Sequence, residues 1–150
     1  MANFWYTEAC RALANKELDL DTDDLRVLLV MTNTTADTER EATTIAGFTT
    51  LDEFNGANYS SPGIAITGKA IAADGTNHRA NVTASAVTWT ALGAGSRAIQ
   101  AALIYKFSST LGASMPIAFI DTGGFPITAS GADLTITWNA AGMLQVGPST

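Results

Sequence analysis

One cysteine, Cys10, and one histidine, His78, stand in 150 residues, and that shortage excludes much. No disulfide can form within the chain, so packing has to hold it together. A structural zinc site needs about four nitrogen or sulfur ligands, mostly Cys and His, which one chain of this kind cannot supply. Cations are scarce as well: Lys and Arg number 8 against 14 Asp and Glu, for a formal net charge of −6. Arg11, Lys16, Arg26, Arg40, Lys69, Arg79, Arg97 and Lys106 are each isolated in sequence. A phosphate backbone asks for several cations on one surface, so nucleic acid is not an expected partner. No apolar run approaches the roughly 20 residues that cross a bilayer, and no basic stretch leads into an apolar one as in a secretory signal. The expectation is a soluble chain made in a reducing cytoplasm, with no membrane partner.

What is present is an apolar content of 47% with only 15% charged residues, together with abundant Thr, Ala and Gly. That mix suits one folded domain of short β-strands and tight turns, and it is not the composition of a disordered tail. A single domain is expected over 1–150, with a helical arm at 1–17 and a β-domain at 18–147. In the arm, Trp5, Ala9, Ala12 and Leu13 fall at i, i+4, i+7 and i+8, one face of an amphipathic helix, with Asn3 as its N-cap. A helix this short is not stable alone. It has to pack on its own domain or on a neighbouring subunit.

Beyond an acidic turn, "DLDTDD" at 19–24, the run "LRVLLVMT" at 25–32 is apolar at nearly every position and reads as a strand buried on both faces. Residues 33–62 are polar and Thr-rich, a long irregular excursion with one short helical turn expected at 50–54. Loops of that length are uncommon in compact domains and are usually functional or partner-bound. A meander follows: strands at 63–72 and 79–90 joined by an Asp74-Gly75 hairpin signal, then 97–107, 116–121, 126–130, 133–139 and 143–146. In 97–107 Ile99, Ala101, Leu103, Tyr105 and Phe107 share one face, with Gln100 and Lys106 on the other. In 133–139 Leu134, Ile136 and Trp138 alternate with Thr135 and Thr137. Seven or eight strands at this spacing predict a mainly β fold, an antiparallel β-sandwich or barrel.

Four stretches raise the question of chemistry. Asp121-Thr122-Gly123 is the triplet with which pepsin-like and retroviral-type proteases present their catalytic aspartate. Two such aspartates must share a proton, and the 29 residues that follow Asp121 are consumed by two strands and a tail, leaving nothing for a flap. A strand end is the better reading, with Asp121 capping the turn, Gly123 and Gly124 permitting positive φ, and Pro126 opening the next strand. Asp19, Asp21 and Asp23 occupy positions 1, 3 and 5 of a calcium-loop pattern, but Asp24 and Val30 stand where Gly and a bidentate Glu belong. A solvated acidic turn is expected there, with a loose surface calcium site on those three carboxylates as the alternative. His78 sits beside the hairpin with no nucleophile placed for it. "GAGS" at 93–96 lacks the Lys-Ser/Thr and the helix of a phosphate loop. No enzyme and no cofactor are expected.

The combination of "LDLDTDDLRVLLV", "GKAIAADGTNHRANVTASAVTWTALGAG", "AALIYKF" and "PIAFIDTGGFPITASGADLTITWNAAGMLQV" resembles small virion proteins encoded beside major capsid genes in tailed bacteriophages, over residues 18–146. The resemblance implies a structural protein of the virion, a head decoration or cement protein on the outer capsid surface. Its partners would be the major capsid protein and further copies of itself, as a dimer or trimer. Tail or neck structure, and a receptor- or glycan-binding module, are the alternatives. Aromatic residues are typical interface anchors, so Phe4, Trp5, Tyr6 and Leu13 in the arm, and Phe48, Phe54 and Tyr59 in the excursion, are the interface candidates. Core packing is the competing role for Trp5.

Overall fold

Two strands with no polar face organise the molecule. In the computed structural model, which describes residues 3–147, β2 (Leu25–Met31) pairs antiparallel along its whole length with β7 (Ile99–Lys106). Around them lie β1 (Phe4–Trp5), β3 (Ile64–Ala65) and β8 (Met115–Ile120), giving a five-stranded sheet in the order β1-β8-β7-β2-β3. The hairpin β4 (Ala70–Asp74) and β5 (Arg79–Thr83) joins β10 (Leu144–Val146) in a three-stranded sheet, and β6 (Val87–Trp89) pairs with β9 (Leu134–Ile136). All these pairings are antiparallel. The result, among the described residues, is a β-sandwich-like fold of ten short strands, not a closed barrel.

Successive side chains of a strand point to opposite faces, and here both faces are covered. Val27, Leu29, Met31, Ile104 and Ile117 face one cluster, which includes Val82, Val87, Trp89 and Leu144 from the smaller sheets. Leu28, Val30, Leu103, Tyr105 and Phe119 face the other. Each large apolar side chain so buried contributes roughly 1.5–3 kcal/mol relative to exposure. A β-bulge changes the expected phase of β7. Val30 faces Ala101 and Met31 faces Ile99, so Gln100 is the extra residue. Ala101, Leu103 and Tyr105 keep the shared face, Ile99 moves to the opposite one, and that opposite face is apolar through Ala102 and Ile104.

From Phe4 onward the N-terminal segment packs on its own domain. Phe4 and Trp5 are extended and pair with Phe119 and Ala118 of β8, so the helix α1 (Thr7–Ala14) starts only after Tyr6, which is its N-cap residue in extended conformation. Ala9 and Ala12 of α1 are buried in the molecule's own core, so its apolar face needs no second subunit. The excursion also folds back on its own domain. Ala36, Ile45 and Phe48 complete the second cluster, and the Tyr6 hydroxyl donates to the Ala36 carbonyl at 2.6 Å. Its threonines bond one another: Thr35 N–H donates to the Thr50 carbonyl at 2.9 Å, and Thr50 N–H to Thr35 Oγ1 at 3.0 Å. Thr35 and Thr49 also donate to the Glu39 carboxylate, holding its pKa below the ordinary value. The one helical turn lies at Ile45–Gly47. Residues 50–54 form no helical turn: Asp52 has a left-handed φ of 51°, Glu53 bridges Val30, and Phe54 N–H donates to the Leu29 carbonyl.

The expected strand at 63–72 is broken at Gly68, and that at 79–90 is divided between two sheets. The Asp74-Gly75 hairpin is present, but its strands close at Asp74↔Arg79, a four-residue loop. Residues 126–130 form only a bridge, Ile127 to Ile99.

Candidate partner-binding groove

The positions singled out for chemistry are occupied by local structure. Asp19 Oδ1 accepts from the N–H groups of Asp21 and Thr22 at 2.9 and 3.1 Å, and these bonds lower its pKa. Asp23 Oδ2 accepts from Asp19 N–H at 2.8 Å and pairs with Lys106 Nζ at 2.7 Å. Among the described residues, no group of three or more His, Cys, Asp or Glu side chains is placed to hold a metal ion. The carboxylates of Asp19 and Asp23, two of the three candidate calcium ligands, thus close an acidic turn. His78 is exposed at the tip of the β4–β5 loop, with φ of 54°. Its neighbour Asp74 is the loop's anchor: hydrogen bonds from Asn77, with others from Asn81 and Arg79, hold its carboxyl at about 2.

The Asp121 turn is held from the other end of the chain. Asn3 Oδ1 accepts from Asp121 N–H at 3.2 Å, Thr122 N–H at 3.3 Å and Thr122 Oγ1 at 3.0 Å. Asn3 therefore caps this turn and not the helix. Gly123 and Gly124 have φ of 87° and 115°, a backbone region that disfavours side chains. Residue 126 follows a cis peptide bond.

The interface candidates divide by burial. Tyr6, Phe48 and Phe54 are 0%, 7% and 3% exposed, so they are core residues with no surface left for a partner. Leu13 packs against the first cluster. Tyr59 is part-buried, edge-on to Phe54 and stacked on Trp89. Its hydroxyl donates to Glu53 Oε1 at 2.8 Å, and burial, followed by the Glu53 charge, raises its pKa. Phe4 stacks on Phe119 at 5.5 Å and lies under the Arg40 guanidinium.

Trp5, with Phe4 beside it, lines a groove. This open depression of about 540 Å³ runs between the β1–β8 edge, β9 and the start of β10. Trp5, Ile120, Phe125, Ile136 and Trp138 supply apolar surface, while Asn3, Thr122, Thr137 and Asn139 supply amides and hydroxyls. None of the lining residues is Asp, Glu, Lys, Arg or His. Trp138 is fixed by its Nε1–H, which donates to the Ser85 carbonyl at 2.8 Å. The volume falls within the range of ligand sites, but no titratable side chain lies in the wall to move a proton. Among the described residues, the lining is of a kind that binds and positions a ligand.

Sequence patterning placed Trp138 and Ile136 on the inward side of a strand but gave no sign of the groove, because its walls come from three separated segments. One signal was available: between Met115 and Gly147 the only charged residues are Asp121 and Asp133. A second open surface is the β4 edge, where Ala70 to Ala73 are all exposed and Ile71 is 48% exposed. Among the described residues no helix is long and apolar enough to cross a membrane. No family model matches this chain, and no curated protein or solved structure is significantly similar to it.

Proposed function

We propose that this chain is a structural protein of a tailed-bacteriophage virion, a head decoration protein that binds the major capsid protein on the outer shell and stabilises the expanded form. The observation that carries this reading is the uncharged, aromatic groove on a molecule of net charge −6. Such a surface is suited to holding another protein. It supports the role implied by the sequence resemblance, in which many copies of a small, disulfide-free domain cross-link a shell. Specific attachment of that kind buries about 1,000 Å² or more per contact, repeated by the symmetry of the shell. In this role the protein is not an enzyme, needs no cofactor, and has no nucleic-acid or membrane partner.

The test is addition of purified protein to expanded empty capsids that lack it. Co-sedimentation and a higher temperature of capsid disruption are expected. Failure to co-sediment at micromolar concentration overturns the reading. The groove's Trp5 and Trp138, rimmed by Asn3 and Asn139, favour one second reading, a receptor- or glycan-binding module. In that case the protein adsorbs to host cells and ignores capsids.

A further inference from the structure

We infer that the groove receives an extended, uncharged segment of the shell protein, which adds as a strand to β9; this rests on the shell-binding reading above. Three strand edges meet at this site. Among the described residues β1, β9 and β10 each have a single hydrogen-bonded neighbour, namely β8, β6 and β5, which leaves one edge of each unpaired within residues 3–147. Residues 134–139 line the groove without interruption. Alternate side chains of a strand point to opposite faces, so an unbroken run in the wall brings the backbone itself to the surface. An open edge presents a row of N–H and C=O groups that template an added strand. β9 itself spans Leu134–Ile136, so at about 3.3 Å per residue its three residues give a seat of about 10 Å, which residues 137–139 prolong along the same wall outside the regular strand.

The absence of charge decides what the segment is. A Lys, Arg, Asp or Glu side chain entering this wall would lose hydration and meet no opposite charge, which is costly. Apolar and hydroxyl side chains meet Trp5, Ile136 and Trp138 on one side and Thr137 or Asn139 at the rim. Sugar rings are a poorer fit. Firm recognition of vicinal hydroxyls uses carboxylate acceptors or guanidinium donors, and the lining has neither. The Trp138 N–H is already given to Ser85, which leaves that ring only its faces to offer.

The experiment places the photocrosslinker p-benzoylphenylalanine at position 137, an exposed site in the groove wall, and loads the full chain onto expanded empty capsids. Crosslinked peptides are mapped by mass spectrometry, and amide exchange over 134–139 is compared with and without capsids. Thr137→Lys is measured in parallel for capsid affinity and melting temperature, with Ile71→Lys on the distant β4 edge as the control. Expected are a crosslink to one uncharged segment of the shell protein and slowed exchange at 134–139. Thr137→Lys should bind at least tenfold more weakly with its melting temperature unchanged, while Ile71→Lys binds like wild type. If wild type binds capsids but Thr137→Lys binds equally and exchange at 134–139 is unaltered, the strand-addition inference falls and the decoration reading stands. A crosslink to a second copy of this chain, or to a segment that places charges in the groove, also overturns it. If wild type binds no capsids and adsorbs to host cells or binds oligosaccharide instead, both readings fall together.

Discussion

Tyr6→Phe isolates the bond on which the packing of the excursion turns. Tyr6 is completely buried in the cluster shared by the five-stranded sheet and the excursion, and its hydroxyl reaches 30 residues along the chain to the Ala36 carbonyl at 2.6 Å. Burial, with the nearby Asp37 charge, raises its pKa, so the phenol remains a neutral donor throughout the ordinary pH range. Phenylalanine keeps the ring, its contact with Phe48 at 5.6 Å and its edge contact with Phe4 at 5.2 Å, and removes only the donor. A buried acceptor left without its partner costs about 1–3 kcal/mol. For a domain of this size about 2 kcal/mol corresponds to a fall in Tm of about 4–8 °C. Thermal melts followed by circular dichroism measure the global effect, and amide exchange measures the local one. Faster exchange is expected at 34–50, with β2 and β7 still the most protected strands. A Tm within about 1 °C of wild type and unchanged exchange at 34–50 would refute the claim that this bond ties the excursion to the sheet.

Other perturbations test other joints. Asp52 is 6% exposed at its side chain and pairs with Arg97, and this pairing, together with the N–H of Asn33, lowers its pKa. A depressed carboxylate stabilises the fold above its unfolded value of about 4 and loses that contribution as pH falls through the folded value. Wild type should therefore melt at a higher temperature than Asp52→Asn at pH 7, with the curves converging as pH falls from about 4 towards 2; a constant gap contradicts the linkage. Asn3→Ala removes the acceptor for three groups at the Asp121 turn and should cost roughly 1 kcal/mol in chemical denaturation, with faster exchange at 121–122. If the decoration reading holds, Asp121→Asn should bind capsids as wild type does, since the turn is anchored through Asn3; a loss of binding in that variant would make Asp121 a functional residue. Ile71→Lys should leave Tm within about 1 °C, because exposed substitutions change little, and should reduce concentration-dependent association in sedimentation velocity by blunting the β4 edge. An unchanged sedimentation profile at high concentration would show that this edge is not a self-association surface.

How far the sequence could be read depended on whether the deciding contacts were local. The strand at 25–31 was legible because a segment buried on both faces cannot hide its composition: every residue from Leu25 to Met31 except Arg26 is apolar, and all six of those are buried. The Asp74-Gly75 hairpin was legible because turn chemistry is local. Phe4 and Trp5 were misread for the converse reason. Trp5 is in helical phase with Ala9 and Ala12, and nothing nearby shows that its backbone pairs with Ala118, 113 residues away. The phase of β7 failed at Gln100, where one bulged residue turns Ile99 to the other face. The excursion concealed its core residues because Ala36, Ile45 and Phe48 are isolated among polar neighbours and share no period. The groove combines both difficulties. Its lining is drawn from residues 3–5, 118–127 and 134–145, and the first wall lies more than 100 residues from the other two. A contact surface built from the ends of three sheets leaves only a compositional trace, the near absence of charge after Met115. That trace has a physical cause if strand addition is the function: an edge kept free of Lys, Glu and Pro forgoes the residues that normally protect exposed edges from pairing. The native occupant of such an edge must then be present in excess, as the shell protein is in a virion, or the open edges would pair with one another.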